Sequence, residues 1–436
     1  MSTFLLLRDD RAAPRLPAFS QERSGDKLTI IIFENARVLN ESADGYREDC
    51  HVVVENGRIA AVDTGPARVA HAEVIDVRGG ALLPGLIDVH IPARLSSANA
   101  AQLLDHPATY SSAHAARMLR HALDCGFTSL RDVGGGDHGL ARAIEDGLIP
   151  GPRLFYAGRT LSMTGGHGDM RPAHEDVEPC GCSRMNMIAH VVDGADEVRR
   201  AAREELRMGA HCIKIMLSGG VLSPTDPIWM QQFTDDEVQA AVEEAARWRR
   251  YVAAHAHTAE AVMRAAQLGV RTVEHATLIS SEAADALRDA GGFAVPTLSV
   301  VMALSERGDA LGLPAAAAAK AKEIAHLAMQ GFETAWRAGV PLGFGTDLPG
   351  DVFDMQAREF LYRREIQPAA AILRSATVTG ADILGRPDLG RIIPGATADL
   401  LVVDGDPLGD IALLAEDGRH LRAIMKAGRF HKREPW

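Results

Sequence analysis

The chain has 436 residues, 47% of them apolar and 24% charged, which excludes disordered, collagen-like and fibrous classes and allows a sizeable core. Asp and Glu number 58 against 46 Lys and Arg, and the resulting net charge of −12 argues against a nucleic-acid or anionic-membrane partner. Five cysteines (Cys50, Cys125, Cys180, Cys182 and Cys212) are too few and too odd for a disulfide framework and point to a reducing compartment.

Residues 1–27 read as a polar, Pro-containing arm. Phe4-Leu5-Leu6-Leu7 is too short for a signal core and is followed at once by Arg8-Asp9-Asp10-Arg11. No run approaches the length of a spanning helix, so the expected location is the cytoplasm. Residues 28–81 are β-rich: Leu28–Phe33, Cys50–Glu55, Ile59–Val62 and Val74–Val77, with Asn56-Gly57 as a two-residue hairpin signal and Gly79-Gly80 closing the block.

From Leu82 the pattern changes to short apolar runs alternating with Ala-, Glu- and Arg-rich helical segments. The runs are Leu86–His90, Phe127–Val133, Arg153–Ala157, Cys212–Leu217, Val252–Ala256, Thr272–His275, Phe293–Thr297 and Leu342–Thr346. Helices are expected over Ala100–Asp124, Asp235–Arg249, Ala259–Leu268, Ala283–Ala290 and Ala315–Ala338. This alternation predicts an α/β fold, a parallel sheet closing as a (β/α)8 TIM-type barrel over residues 82–385. A long insertion between Tyr156 and Ile188 follows a strand end and should overhang the barrel mouth. Strands return at Arg391–Gly395, Asp399–Val403 and Ile424–Lys426, so residues 28–81 and 386–436 are expected to form one small β-sandwich. Cys180-Gly-Cys182 lacks the second cysteine pair of a structural zinc site.

Candidate chemistry sits at the C-terminal strand ends: His90, Lys214, His255, His257, His275 and Asp347. Each histidine alone is more simply a satisfied polar core residue, and Asp347 a helix N-cap. Lys214, flanked by Ile213 and Ile215, is harder to dismiss, because a buried unpaired ammonium is costly and needs a partner, a lowered pKa or modification. Together, imidazoles and a carboxylate converging at a barrel mouth favour a divalent metal such as zinc.

Leu83-Pro-Gly-Leu-Ile-Asp-Val-His90, Ile213-Lys-Ile215 with Ser218-Gly-Gly-Val221, Ala254-His-Ala-His257, Glu274-His275, Gly345-Thr-Asp347 and Gly390–Leu400 together resemble the core motifs of the amidohydrolase superfamily. The similar branch is the imidazolonepropionase-like one, with Xaa-Pro dipeptidases, carboxypeptidases and ochratoxin-hydrolysing amidases. The resemblance implies two divalent metals bridged by a carbamylated lysine and a hydroxide. Lys214 matches that lysine, His255 and His275 the ligands of the outer metal, and His90 and Asp347 ligands of the inner one. Asp347 also matches the residue that shuttles the proton, and a homo-oligomer is the implied assembly. His167, in Thr164-Gly-Gly-His-Gly-Asp169, and His257 match positions that hold a substrate carboxylate; the alternative for both is a supporting or surface histidine. Arg159 and Arg131 read as structural ion-pair partners.

One departure stands out. The superfamily pattern His-x-His is here His90-Ile91-Pro92, and proline offers no ligand. One metal, a weakened second metal, or an altered variant of an active parent all remain open. The expected activity is metal-dependent hydrolysis of an amide beside a free carboxylate, in a dipeptide or an N-acyl amino acid such as ochratoxin A. The alternatives are imidazolone or cyclic-amide hydrolysis or deamination, and a non-catalytic barrel. Gly134-Gly-Gly136 lacks the sequel of a phosphate loop, and Ser299 lacks an adjacent base.

Overall fold

Asn56 and Gly57 both adopt positive φ (52° and 75°), the backbone that a two-residue hairpin turn demands. They join β2 (Tyr46–Glu55) to β3 (Arg58–Thr64), and β2 pairs antiparallel with β1 (Ile30–Leu39). The computed structural model describes residues 30–171 and 188–435. The expected N-terminal arm, Cys180, Cys182 and the middle of the long insertion lie outside the described residues. β4 (Glu73–Asp76) and β5 (Ala81–Pro84) follow, both parallel to β1.

The alternating region begins with β6 (Leu86–Ile91). The single helix expected over Ala100–Asp124 is two, α1 (Ala100–Asp105) and α2 (Ala108–Asp124). Pro107 between them has no amide hydrogen and an extended ψ of 149°, so it opens α2 rather than continuing α1. Next come β7 (Phe127–Asp132), α3 (His138–Glu145), β8 (Arg153–Tyr156), β9 (Thr160–Ser162), β10 (Ala189–Val191), α4 (Ala195–Arg207) and β11 (Ile213–Met216). Then follow α5 (Asp235–Arg247), β12 (Val252–Thr258), α6 (Ala259–Gln267), β13 (Thr272–Leu278), α7 (Ser281–Asp289), β14 (Phe293–Val295), α8 (Leu298–Arg307) and α9 (Ala315–Arg337). Short helical segments between Phe353 and Leu384 precede β15 (Leu400–Val403), β16 (Leu421–Lys426) and β17 (Arg429–Arg433).

The protein is therefore an α/β fold with parallel sheets. One holds β6, β7 and β8; another runs β10-β9-β11-β12-β13-β14. Backbone hydrogen bonds connect them: His211 N donates to Tyr156 O (2.8 Å), Gly343 N to Ala294 O (2.9 Å) and Val89 N to Phe344 O (2.8 Å). The last two show Leu342–Thr346 lying between β14 and β6. This stretch makes only an isolated bridge, at Ala294 and Leu342, not the regular strand its apolar pattern predicts. Gly343 and Gly345 press onto Val295, Val89 and His90, and the chain leaves the ladder there to reach Asp347 at φ 53°.

The eight-stranded sheet draws on both chain ends, in the order β17-β16-β15-β5-β1-β2-β3 with β4 beside β1. Its period-2 pattern feeds two cores: Leu82, Leu400 and Val402 pack with Phe33 and Val52, while Leu83, Leu401 and Val403 join the main core. Arg391–Gly395, expected as a strand, is a turn: Gly395 has φ 87° and Ala396 N donates to Ile393 O. Pro394 lacks the amide that a ladder would need.

Candidate active site

The parallel strands deliver their C-terminal residues to one place. β12 and β13 pair so that Ala256 faces His275, and β11 and β12 so that Met216 faces His255. His255 and His257, two apart on β12, share a face. The rings of His255 and His275 have centroids 4.6 Å apart, those of His257 and His275 4.9 Å, and those of His90 and His275 5.2 Å. Hydrogen bonds aim the rings: His275 Nδ1 to Thr297 Oγ1 (2.7 Å), His257 Nδ1 to Thr277 Oγ1 (2.9 Å) and His255 Nε2 to the carbonyl of Gly219 (3.2 Å). His90 contacts Glu274 Oε2 through Nδ1 (2.8 Å) and Asp347 Oδ1 through Nε2 (3.2 Å). His275 Nε2 lies 3.9 Å from Asp347 Oδ2. His275, Ala276, Thr297 and Asp347 all hold positive φ, a strained backbone of the kind that gathers at functional sites.

Burial sets the charge state. It pushes His257 down to about 3 and His255 and His275 well below the usual imidazole range, so all three are neutral, the form that binds metals. Burial also opposes a charged His90, but Asp347 and Glu274 outweigh it and raise that imidazole. Glu274 is disfavoured as an anion by burial, yet Arg131 and His90 hold its carboxyl well below the usual range. Lys214 is 2% exposed, and burial lowers its ammonium against the pull of Glu274 and Asp347. No hydrogen bond or ion pair engages its Nζ among the described residues. Donor atoms of His90, His275 and Asp347 all lie within 4.8 Å of one another, close enough to hold one ion. Pro92, by contrast, packs on Gly134, where an added Cβ would lie 2.6 Å from the proline Cβ.

The cleft in front of these groups encloses about 460 Å³, part of it open solvent. His167, His255, His257, His275 and Asp347 line it together with apolar residues that include Leu95, Val221, Leu222, Val300, Val301 and Leu304. His167 stacks on His255 (4.3 Å between centroids) and meets Ser223 Oγ at 2.7 Å and Asp226 Oδ2 at 3.6 Å through Nδ1. Asp226 is fully buried and accepts from Gly220 N and Gln232 Nε2. Lys320 of α9 ties this loop down through the carbonyls of Gly220, Ser223 and Asp226.

All six strand-end residues thus converge, and His167 joins them. Arg131 pairs with Glu274 (2.8 Å) and Arg159 with Glu205 (3.1 Å), both as ion-pair partners. Gly134 N and Gly136 N both donate to Asp132 Oδ1, an ordinary loop. Sequence reasoning missed Asp226 behind His167, the linking role of Glu274, and the apolar wall on α8. Asp226 carries no periodic signal; the cue for Glu274 was a carboxylate inside an apolar strand, next to His275.

Residues 81–429 match the amidohydrolase family model. The chain belongs to the amidohydrolase family. This amidohydrolase is 34% identical over 369 residues to ochratoxinase of Aspergillus niger, covering 80% of this chain and 75% of that one. A solved prolidase in complex with N-methylphosphonate-L-proline is 42% identical, with a TM-score of 0.91 over 93% of this chain and 100% of that one. A solved Xaa-Pro dipeptidase with methionine in its active site is 30% identical, with a TM-score of 0.82 over 93% of this chain and 100% of that one. The amidohydrolase is a hydrolase acting on C–N bonds. No helix among its described residues is long and apolar enough to cross a membrane.

Proposed function

We propose that this amidohydrolase is a metal-dependent amidase or peptidase. Its substrate is an Xaa-Pro-type dipeptide or an N-acyl amino acid such as ochratoxin A, with a free carboxylate beside the scissile amide. The observation that carries this reading is the approach of His90, His275 and Asp347 beside Lys214, which is buried and has no hydrogen-bond or ion-pair partner among the described residues. The parallel sheets and Leu342–Thr346 between them make the wall of a TIM-type barrel, with the eight-stranded sheet from both chain ends as a β-sandwich partner.

The donor set fits zinc or a similar ion, held by His90, His255, His275, Asp347 and a Lys214 carbamate. Carbamylation removes the buried positive charge and supplies two anionic oxygens, which answers the lack of a partner. When bound, such an ion polarises the scissile carbonyl and lowers the pKa of water. Asp347 takes the proton of the attacking water and returns it to the leaving amine. His167 and His257 hold the substrate carboxylate, with Ser223 and Asp226 fixing His167 from behind. The aliphatic wall takes the acyl group and keeps bulk water away.

Pro92 favours a second reading, a metal-impaired barrel with fewer than two tightly held ions. One experiment separates them: hydrolysis of Xaa-Pro dipeptides and N-acyl amino acids against their C-terminal amides, with elemental analysis of the same preparations. Acids should be cleaved at least about tenfold faster than amides, because a charge-assisted hydrogen bond is lost with the carboxylate. Lys214→Ala should abolish turnover and lower metal content, with partial rescue by small carboxylic acids. A fully active enzyme with unmodified, metal-free Lys214 overturns the metal role. No turnover and little bound metal in the unaltered protein, both restored by Pro92→His, establish the impaired barrel.

A further inference from the structure

The C-terminal turn of α2 meets the 416–418 turn and β17. His121, in the last turn of α2, and Cys125, at its C-cap, are four residues apart and so face the same side. His121 Nε2 lies 3.5 Å from Cys125 Sγ, and Asp417 Oδ1 lies 3.9 Å from the same sulfur. All three donors are within 4.8 Å of one another, with Cys125 buried, His121 partly buried and Asp417 exposed. The segments are pressed together: Gly418 packs on the Asp124 carbonyl, where no Cβ would fit, His431 Nε2 meets Asp124 Oδ1 at 2.6 Å, and Lys432 Nζ donates to Gly418 O at 3.0 Å.

We propose that His121, Cys125 and Asp417 form a structural site for a zinc-type divalent cation, stapling the end of α2 to the 416–418 turn. One sulfur, one imidazole and one carboxylate suit a borderline ion such as zinc or cobalt rather than calcium or magnesium. Donors bound tetrahedrally at about 2.0–2.3 Å stand roughly 3.3–3.8 Å apart. The nitrogen–sulfur distance already lies in that range, and the exposed Asp417 needs to move only slightly. Water supplies the fourth position.

The local field favours a cation as well. The site lies at the negative end of the α2 dipole, beside Asp124 and Asp417. Burial, then Asp417 and Asp124, push the Cys125 thiol up, so it is protonated in the metal-free site. Binding exchanges that thiol proton for the ion: thiolate and carboxylate neutralise the two positive charges, and the thiol proton leaves to solvent.

The test uses the full chain, stripped by chelator and titrated with cobalt(II) alone. A thiolate-to-cobalt charge-transfer band is the readout, because the proposed catalytic ligands contain no sulfur. The band should appear in the unaltered protein and be absent in Cys125→Ser. Asp417→Asn, an exposed change that spares the fold, should weaken the cobalt affinity reported by the band at least about tenfold. No band in the unaltered protein, or the same band in Cys125→Ser, overturns the site. If Cys125→Ser does not fold, an unchanged affinity in both Asp417→Asn and His121→Gln overturns it equally. Catalytic failure of the enzyme would leave this band in place, so the two proposals fall separately.

Discussion

Glu274 carries more than its share of the cleft. It is fully buried and joins two cationic or partly cationic groups: Arg131 through Oε1 (2.8 Å) and His90 through Oε2 (2.8 Å). Arg131 is itself fully buried, so removing the anion strands a guanidinium that Val89 O and Thr272 Oγ1 cannot neutralise. Glu274→Gln should therefore cost about 3–5 kcal/mol in urea unfolding, the usual penalty for breaking a buried pair from one side. A loss below about 1 kcal/mol would show that Arg131 finds another anion. Pro92 is the other decisive residue. Its ring fills the space in front of Gly134 and offers no donor. Pro92→His should raise both metal content and turnover. Two metals that survive chelator challenge in the unaltered protein, with no gain in the variant, would mean that another residue completes the inner site.

At the scale of elements, the join between β8 and β11 rests on His211. Its amide donates to Tyr156 O (2.8 Å), its Nδ1 accepts from Tyr156 N (3.2 Å), and its ring packs edge-on against Phe155 and Tyr156. Burial, then Arg250, pushes this imidazole down to about 4 from an ordinary 6.5. Between those values the unfolded chain takes up a proton that the folded chain refuses. The His211 contribution is thus complete above pH 6.5 and is lost as pH falls from 6.5 toward 4. Melting temperatures of the protein and of His211→Gln across that window check this. The variant should decline less steeply, and parallel curves would exclude His211 as the titrating group. Elements also show where periodicity stops informing. α8 buries Leu298, Val300, Val301, Ala303 and Leu304, which lie on several sides, so no polar stripe marked it as a helix.

Across the whole molecule, the two chain ends meet in one sheet. β15 lies between β5 and β16, with Leu400 opposite Pro84 and Val403 opposite Ala81. Deleting residues 400–435 would leave β5 as an open edge and strip Leu82 and Leu83 of their neighbours in both cores. The truncated chain should be insoluble or lack a cooperative thermal transition. A soluble, cooperatively melting product would show that residues 30–399 fold without the returning strands.

Strand ends, the Asn56-Gly57 hairpin turn and the residue types gathered in the cleft were legible in the sequence alone. They rest on local physics: alternation along strands, the positive φ of Asn-Gly, and the cost of placing Lys214 between two isoleucines. The α/β class and the amidohydrolase resemblance followed from those same short stretches. The tertiary structure decided which groups meet. His90 reaches Asp347 because Leu342–Thr346 lies against β6, and Glu274 reaches Arg131 because β13 and β7 face a common interior. Asp226 stands behind His167 because Lys320, on a distant helix, pins the intervening loop. Pro107 and Pro394 broke elements whose apolar pattern ran on through them, since a missing amide hydrogen outweighs periodicity. Contacts of this kind depend on distances between segments far apart in the chain, and those distances exist only once the strands have assembled.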